Sequence, residues 1–168
     1  MVGKAEISVL LLGDTHGTVD ARIMTLLPLA ERVVHTGDVG SGVARALRAG
    51  CAAVDIVGGN NDPADSGLPD ELCLDLPGGV LAVEHGHRYP ARDRHARLRR
   101  AYPAARVVVC GHSHRLLIDQ TAAPWVLNPG AAGRTRTYGG PSCLWLTISE
   151  TAWRVEAVRF ALPAQPAV

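Results

Sequence analysis

Aspartate, histidine and asparagine recur in five short clusters along this chain of 168 residues, each directly after an apolar or β-rich run. The clusters are Gly13-Asp14-Thr15-His16, Gly37-Asp38, Gly59-Asn60-Asn61-Asp62, His85-Gly86-His87 and Gly111-His112-Ser113-His114. Two neutral imidazoles set two residues apart on a loop free to bend are a common way to hold a transition metal. Asp14 and His16 share that spacing, so both can reach one ion from a tight loop. A donor set of Asp, His and Asn suits manganese, iron or zinc; it is too nitrogen-rich for calcium, and thiolates are missing. Singly, each cluster also has a plainer reading. Gly-Asp after a strand is an ordinary turn, and Gly-Asn-Asn-Asp supplies positions of positive φ. His35 reads as a core or supporting histidine, and His95, among arginines, as a surface one. Five such clusters in series make chance a poor explanation.

The elements that must position these residues alternate in the first half. Ile7–Leu12 reads as a strand buried on both faces, residues 20–30 as a helix broken near Pro28, and Arg32–His35 as a second strand. A helix over residues 43–49 and a third strand over residues 53–57 follow. Such alternation implies right-handed βαβ crossovers and a largely parallel sheet. In the second half, residues 71–75 and 80–84 flank Pro77-Gly78-Gly79 as a hairpin. A helix from about Asp93 to Ala101 precedes the strand Val107–Val109. Residues 116–119, 125–127, 143–148 and 153–160 read as antiparallel strands. The expected fold class is therefore an α/β sandwich of two mixed sheets with helices outside. Ligands bind at the carboxyl ends of strands in open α/β sheets, so all five clusters should converge on one rim.

Bulk composition narrows the function classes. The residues are 47% hydrophobic and 20% charged, with a net charge of +1, as expected of one globular domain over residues 1–161 with a frayed tail at 162–168. Near-neutrality gives no signal for nucleic acid and none for an anionic membrane surface. The arginines between Arg88 and Arg106 read mainly as a solvated helix face. Cys51, Cys73, Cys110 and Cys143 form no C-x-x-C pair, and small buried side chains explain most of them. With no leader pattern and no long apolar stretch, a reducing, cytoplasmic location is expected.

In this order the clusters resemble the calcineurin-like metallophosphoesterase superfamily. The short length and the run Asn128-Pro129-Gly130 look like its small bacterial and archaeal phosphodiesterase branch, over roughly residues 7–146. The resemblance implies an αββα sandwich and a dinuclear metal centre. Asp14, His16 and His114 would hold one ion, Asn60, His85 and His112 the other, and Asp38 would bridge both. It implies two divalent ions, with manganese first and iron, zinc or nickel as alternatives. A hydroxide bridging ions about 3.5–4 Å apart would attack the phosphate ester in line. The partner would be a small phosphoester substrate, and small members of this branch look like homodimers or homotetramers.

The chain also departs from the family pattern. Larger members have a histidine where this sequence has Asn61, and a carboxamide can donate a hydrogen bond but cannot act as a general acid. His87 is the expected substitute, and Asp62 is placed behind a ligand or beside the reacting atoms. Of the arginines closing the loop after Asn128, Arg134 is taken as the substrate contact, with Arg136 as its alternative. A different class of function stays open. A retromer subunit resembling this branch keeps the fold as a scaffold, and a binding module with a weak or silent centre would share the architecture.

Overall fold

The computed structural model describes residues 5–163. Its strands are β1 (Ile7–Leu12), β2 (Arg32–His35), β3 (Val54–Ile56), β4 (Glu71–Leu76), β5 (Gly79–Glu84), β6 (Val107–Val109), β7 (Leu117–Asp119), β8 (Trp125–Asn128), β9 (Ser142–Ile148) and β10 (Trp153–Arg159). The helices are α1 (Ala21–Met24), α2 (Val43–Gly50) and α3 (Arg94–Ala101). One sheet has the order β10-β9-β1-β2-β3 and the other β4-β5-β6-β8-β7. This is the expected two-sheet sandwich.

Why β1 lacks a polar face follows from where its side chains go. Successive strand residues point to opposite faces. Val9 and Leu11 enter the layer between the sheets, packing with Val34, Leu81, Val83, Val107, Val109, Leu144 and Leu146. Leu10 and Leu12 point the other way, into the layer under α1 and α2 with Ile23, Leu27, Val43 and Leu47. In the second sheet Val107 and Val109 face inward while Val108 faces Leu98 of α3. Strands covered on both faces read as continuous apolar runs. The edge strand β4 instead alternates, with Glu71, Cys73 and Asp75 exposed.

Two local expectations are corrected. The helix over residues 20–30 is split into the four-residue α1, capped by the Asp20 side chain on the Arg22 amide, and a 3-10 turn at Leu27–Leu29. Pro28 lacks an amide hydrogen, and its ring would clash with a carbonyl one turn back, so the helix cannot run through it. The segment 125–127 is not antiparallel throughout. β8 pairs antiparallel with β7 but parallel with β6, registering Val108 opposite Val126. Cys51, Cys110 and Cys143 are buried and Cys73 is exposed, all as free thiols. Among the described residues no helix is long and apolar enough to cross a membrane. The tail expected to fray is described only as far as Pro163, and residues 164–168 lie outside the described residues.

Leu11 has no exposed surface at the centre of the inter-sheet layer. Leu11→Ala should lower unfolding free energy by about 2–5 kcal/mol, read from the urea midpoint at an unchanged m-value.

Candidate metal centre

The expected donor residues meet at one rim. Asp14 and His16 follow β1, Asp38 follows β2 and Asn60 follows β3; His85 follows β5, and His112 and His114 follow β6. Donor atoms of Asp14, His16, Asp38 and His114 lie within 4.8 Å of one another, as do those of Asp38, His85 and His112. The two groups share Asp38. In the first, His114 Nε2 is 3.2 Å from His16 Nε2 and 3.7 Å from Asp14 Oδ1, and His16 Nε2 is 3.7 Å from Asp38 Oδ2. In the second, His85 Nε2 is 3.3 Å from Asp38 Oδ2. Asn60 joins this group, with Oδ1 3.1 Å from both His85 Nε2 and His112 Nδ1.

Hydrogen bonds behind the centre set which nitrogen faces it. His85 Nδ1 lies 2.9 Å from the Thr36 carbonyl and His114 Nδ1 lies 2.8 Å from the Thr135 carbonyl. A carbonyl only accepts, so each Nδ1 carries a proton and each Nε2 turns a lone pair inward. For His85 that lone pair meets two more acceptors, Asp38 Oδ2 and Asn60 Oδ1. Acceptors converge on acceptors only where a proton or a cation can lie between them. Asp14 Oδ2 is likewise buried with no hydrogen-bond partner. The donor chemistry and this orphaned oxygen fit divalent ions.

The loops carry unusual backbone. Among the described residues, positive φ at non-glycine positions occurs at Asp14, His16, Asp38, His112, His114, Arg136 and Tyr138, between 46° and 72°. Five of the seven are donor residues. Each such conformation costs on the order of 1–3 kcal/mol and persists only where the surroundings hold it. His35 supplies one brace. The Gly37 amide donates to its Nδ1 at 3.1 Å, so Nε2 bears the proton and donates to Thr15 Oγ1 at 2.9 Å; that hydroxyl donates to the Val39 carbonyl at 2.7 Å. Asn128 supplies another, its carboxamide donating to the Gly111 carbonyl and to Ser113 Oγ, both at 3.0 Å. A Cβ on Gly111 would lie 2.6 Å from Thr36 Oγ1 and 3.1 Å from Asp14 Oδ2, so no larger residue fits before His112.

The remaining expected residues divide. The Asp62 carboxylate accepts from the amides of Val39 (2.9 Å), Gly40 (3.2 Å) and Gly59 (2.8 Å), tying the second loop to the third. Asp62 thus braces these two loops through its carboxylate. Asn61 lies on Asp38, its amide at 2.9 Å from Oδ1 and its side-chain Nδ2 at 2.8 Å from Oδ2. His87 is exposed, its ring 5.4 Å from His85 and 6.2 Å from His112. Arg134 does not reach the centre; it lines a separate hollow with Asp20, Arg22 and Leu162. Arg136, its alternative, donates from Nη2 to His114 Nε2 at 3.2 Å. No spacing rule separates the two arginines in a loop without periodicity; the run at Asn128 marked that loop without revealing its brace, and the Thr135 carbonyl carries no sequence signal.

The model of the calcineurin-like phosphoesterase superfamily domain matches residues 7–151. The chain belongs to this superfamily. No curated protein matches the sequence. Among solved structures, a single mutant of Vps29 from Entamoeba histolytica is similar, with a TM-score of 0.76 and 22% identity over 92% of this chain and 99% of that one. Wild-type Vps29 from the same organism, complexed with zinc, gives 0.72 and 22% over 91% and 99%. A predicted phosphoesterase from Streptococcus pneumoniae gives 0.71 and 20% over 96% and 95%. At these identities the likeness is one of fold.

Electrostatics separate the two carboxylates of this phosphoesterase-type centre. Burial dominates at Asp14 and, with the Asp38 charge beside it, outweighs His85 and pushes its pKa up to about 7. Burial also opposes charge on Asp38, but a proton shared with His85 Nε2 where no cation lies between them, together with two hydrogen bonds from Asn61, prevails and holds its carboxyl well below the usual range. Burial lowers His112 to about 4 and His35 to about 3, leaving both neutral at pH 7. For a carboxyl raised on folding, the stability it adds is complete below its unfolded pKa of about 4 and is lost as pH rises towards 7. In EDTA, the wild type should therefore lose stability relative to Asp14→Asn between pH 4 and 7, by on the order of 3 kcal/mol. Thermal melts of both proteins across that range check this, and parallel curves would remove Asp14 as the cause.

Proposed function

We propose that the chain is a dinuclear metal-dependent phosphoesterase acting on phosphodiesters, with phosphomonoesters as further substrates. The observation that carries this reading is the shared carboxylate of Asp38, common to two donor groups that are otherwise distinct. Asp14, His16 and His114 would hold the first ion, and Asn60, His85 and His112 the second, with Asp38 between them. Manganese suits the set, and iron, zinc or nickel would fit it too. Bound there, a pair of divalent ions supplies Lewis acidity and lowers the pKa of water towards about 7.

The chain's own residues do the rest. The carbonyls of Thr36 and Thr135 fix His85 and His114 with their lone pairs inward. Asn61 holds the Asp38 carboxylate in place through two hydrogen bonds. Arg136 presents a fork of N–H donors beside His114, matched to two oxygens of a substrate phosphate. His87, with its ring 5.4 Å from that of His85 and outside both donor groups, would deliver a proton to the leaving oxygen. Asp62 keeps the second and third loops in register.

Asn61 favours one other reading. With its carboxamide tied to Asp38 where larger family members carry a histidine, the fold could serve as a scaffold over a weak or silent centre. Metal analysis and turnover distinguish the two. The phosphoesterase reading expects about two ions per chain and manganese-dependent hydrolysis of bis-p-nitrophenyl phosphate. Asp38→Ala should lower that rate by about 10²-fold or more, and Arg136→Ala should lower kcat/KM by about 10–100-fold. Manganese-loaded protein inactive on a broad phosphoester panel would sink the enzyme reading.

A further inference from the structure

A cavity of about 490 Å³ opens beside the centre, between the first turn of α3 and the loops that follow β6 and β8. Arg94 and His95 form one wall, Ser113 and Arg115 a second, and Tyr138 and Arg159 complete it. The first loop carries the donor residues His112 and His114, and the second carries Arg136. Ser113 stands between His112 and His114, and Tyr138 is two residues from Arg136. A group seated in the cavity is thus a direct neighbour of a group at the centre.

Its charge is uncompensated. Among the described residues, Arg94, Arg115 and Arg159 form no ion pair with a carboxylate, while Arg88, Arg97, Arg99 and Arg154 do. Backbone carbonyls of Gly86 and Tyr89 hold Arg94 Nε at 3.0 and 3.2 Å, which aims the guanidinium without neutralising it. Arg115 lies 4.1 Å above the Tyr138 ring, so an aromatic face orients it in place of an acid. His95 does face a carboxylate, Asp119 at 3.4 Å, but Arg99 already balances that acid at 3.0 Å. No Asp or Glu lines the cavity. Two oriented guanidiniums, with that of Arg159 beside them around one hollow, suit the oxygens of a phosphate group.

We infer that this cavity is the subsite for a second phosphate of the substrate, carried beside the ester that the neighbouring centre hydrolyses. The inference rests on the phosphoesterase reading for what happens at the centre, and on the arginines alone for what binds in the cavity. It narrows the substrate class to phosphoesters bearing a second phosphate, such as a nucleoside bisphosphate or a short nucleotide.

Adenosine 3′,5′-bisphosphate is the probe, with bis-p-nitrophenyl phosphate as a substrate lacking a second charge. Titrated calorimetrically into EDTA-treated protein, the bisphosphate should bind saturably to the wild type and at least about 10-fold more weakly to the Arg115→Ala/Arg159→Ala double variant. With manganese, the double variant should show a KM for the bisphosphate raised about 10-fold or more, and an unchanged kcat/KM for bis-p-nitrophenyl phosphate. The unchanged turnover also reports an intact fold. Equal binding by both proteins in EDTA, or no binding to either, overturns the subsite. An equal loss on both substrates overturns its role in selecting them. If the wild type hydrolyses neither compound, the phosphoesterase reading falls, and the EDTA titration still decides whether the cavity takes phosphate.

Discussion

Two buried carboxylates held side by side, with no lysine or arginine among the described residues in ion-pair contact with either, are the constraint around which this molecule is organised. Burying a carboxylate without a partner is among the more expensive things a fold can do. Asp14 and Asp38 are both within 2% of full burial, and only imidazoles, amides and a carboxamide approach them. The arrangement persists because the sheets beneath it are apolar on both faces and stable enough to impose it. Asn61 satisfies Asp38 from two sides, and Asp14 keeps one oxygen unsatisfied.

The same constraint explains the backbone. Left-handed conformations at Asp14, Asp38, His112 and His114 turn each side chain back over the rim just after its strand ends. An extended residue there would carry the side chain away from its neighbours. Glycines before Asp14, Asp38 and His112 let the loops pack without a Cβ, and His35, Asp62 and Asn128 lock them with hydrogen bonds. Strain in the loops and rigidity behind them are two aspects of one device.

Much of this was legible in the sequence because strands buried on both faces leave continuous apolar runs, and the polar residue after each run marks the rim. Ile7–Leu12 and Val107–Val109 matched in type and extent for that reason. Where no periodicity exists, reading failed. Pro28 predicted a distortion but not a helix as short as Ala21–Met24. The parallel pairing of β8 with β6 follows from a crossover that no local residue encodes. Arg134 and Arg136 look alike in sequence, and only the φ of 48° at Arg136 sends it to His114. Asp62 was visible as a polar residue in the right motif, but its amide partners lie on another loop.

The donors are divided between the two halves of the sandwich. Asp14, His16, Asp38 and Asn60 hang from the sheet containing β1, and His85, His112 and His114 from the sheet containing β5 and β6. Ions seated among them would act as a clasp across the top of the two layers, whose facing surfaces are otherwise largely apolar. Whatever binds the native arrangement and not the unfolded chain adds to stability by mass action. The stability of this fold would then rise and fall with the supply of metal, because each ion holds side chains from both layers at once.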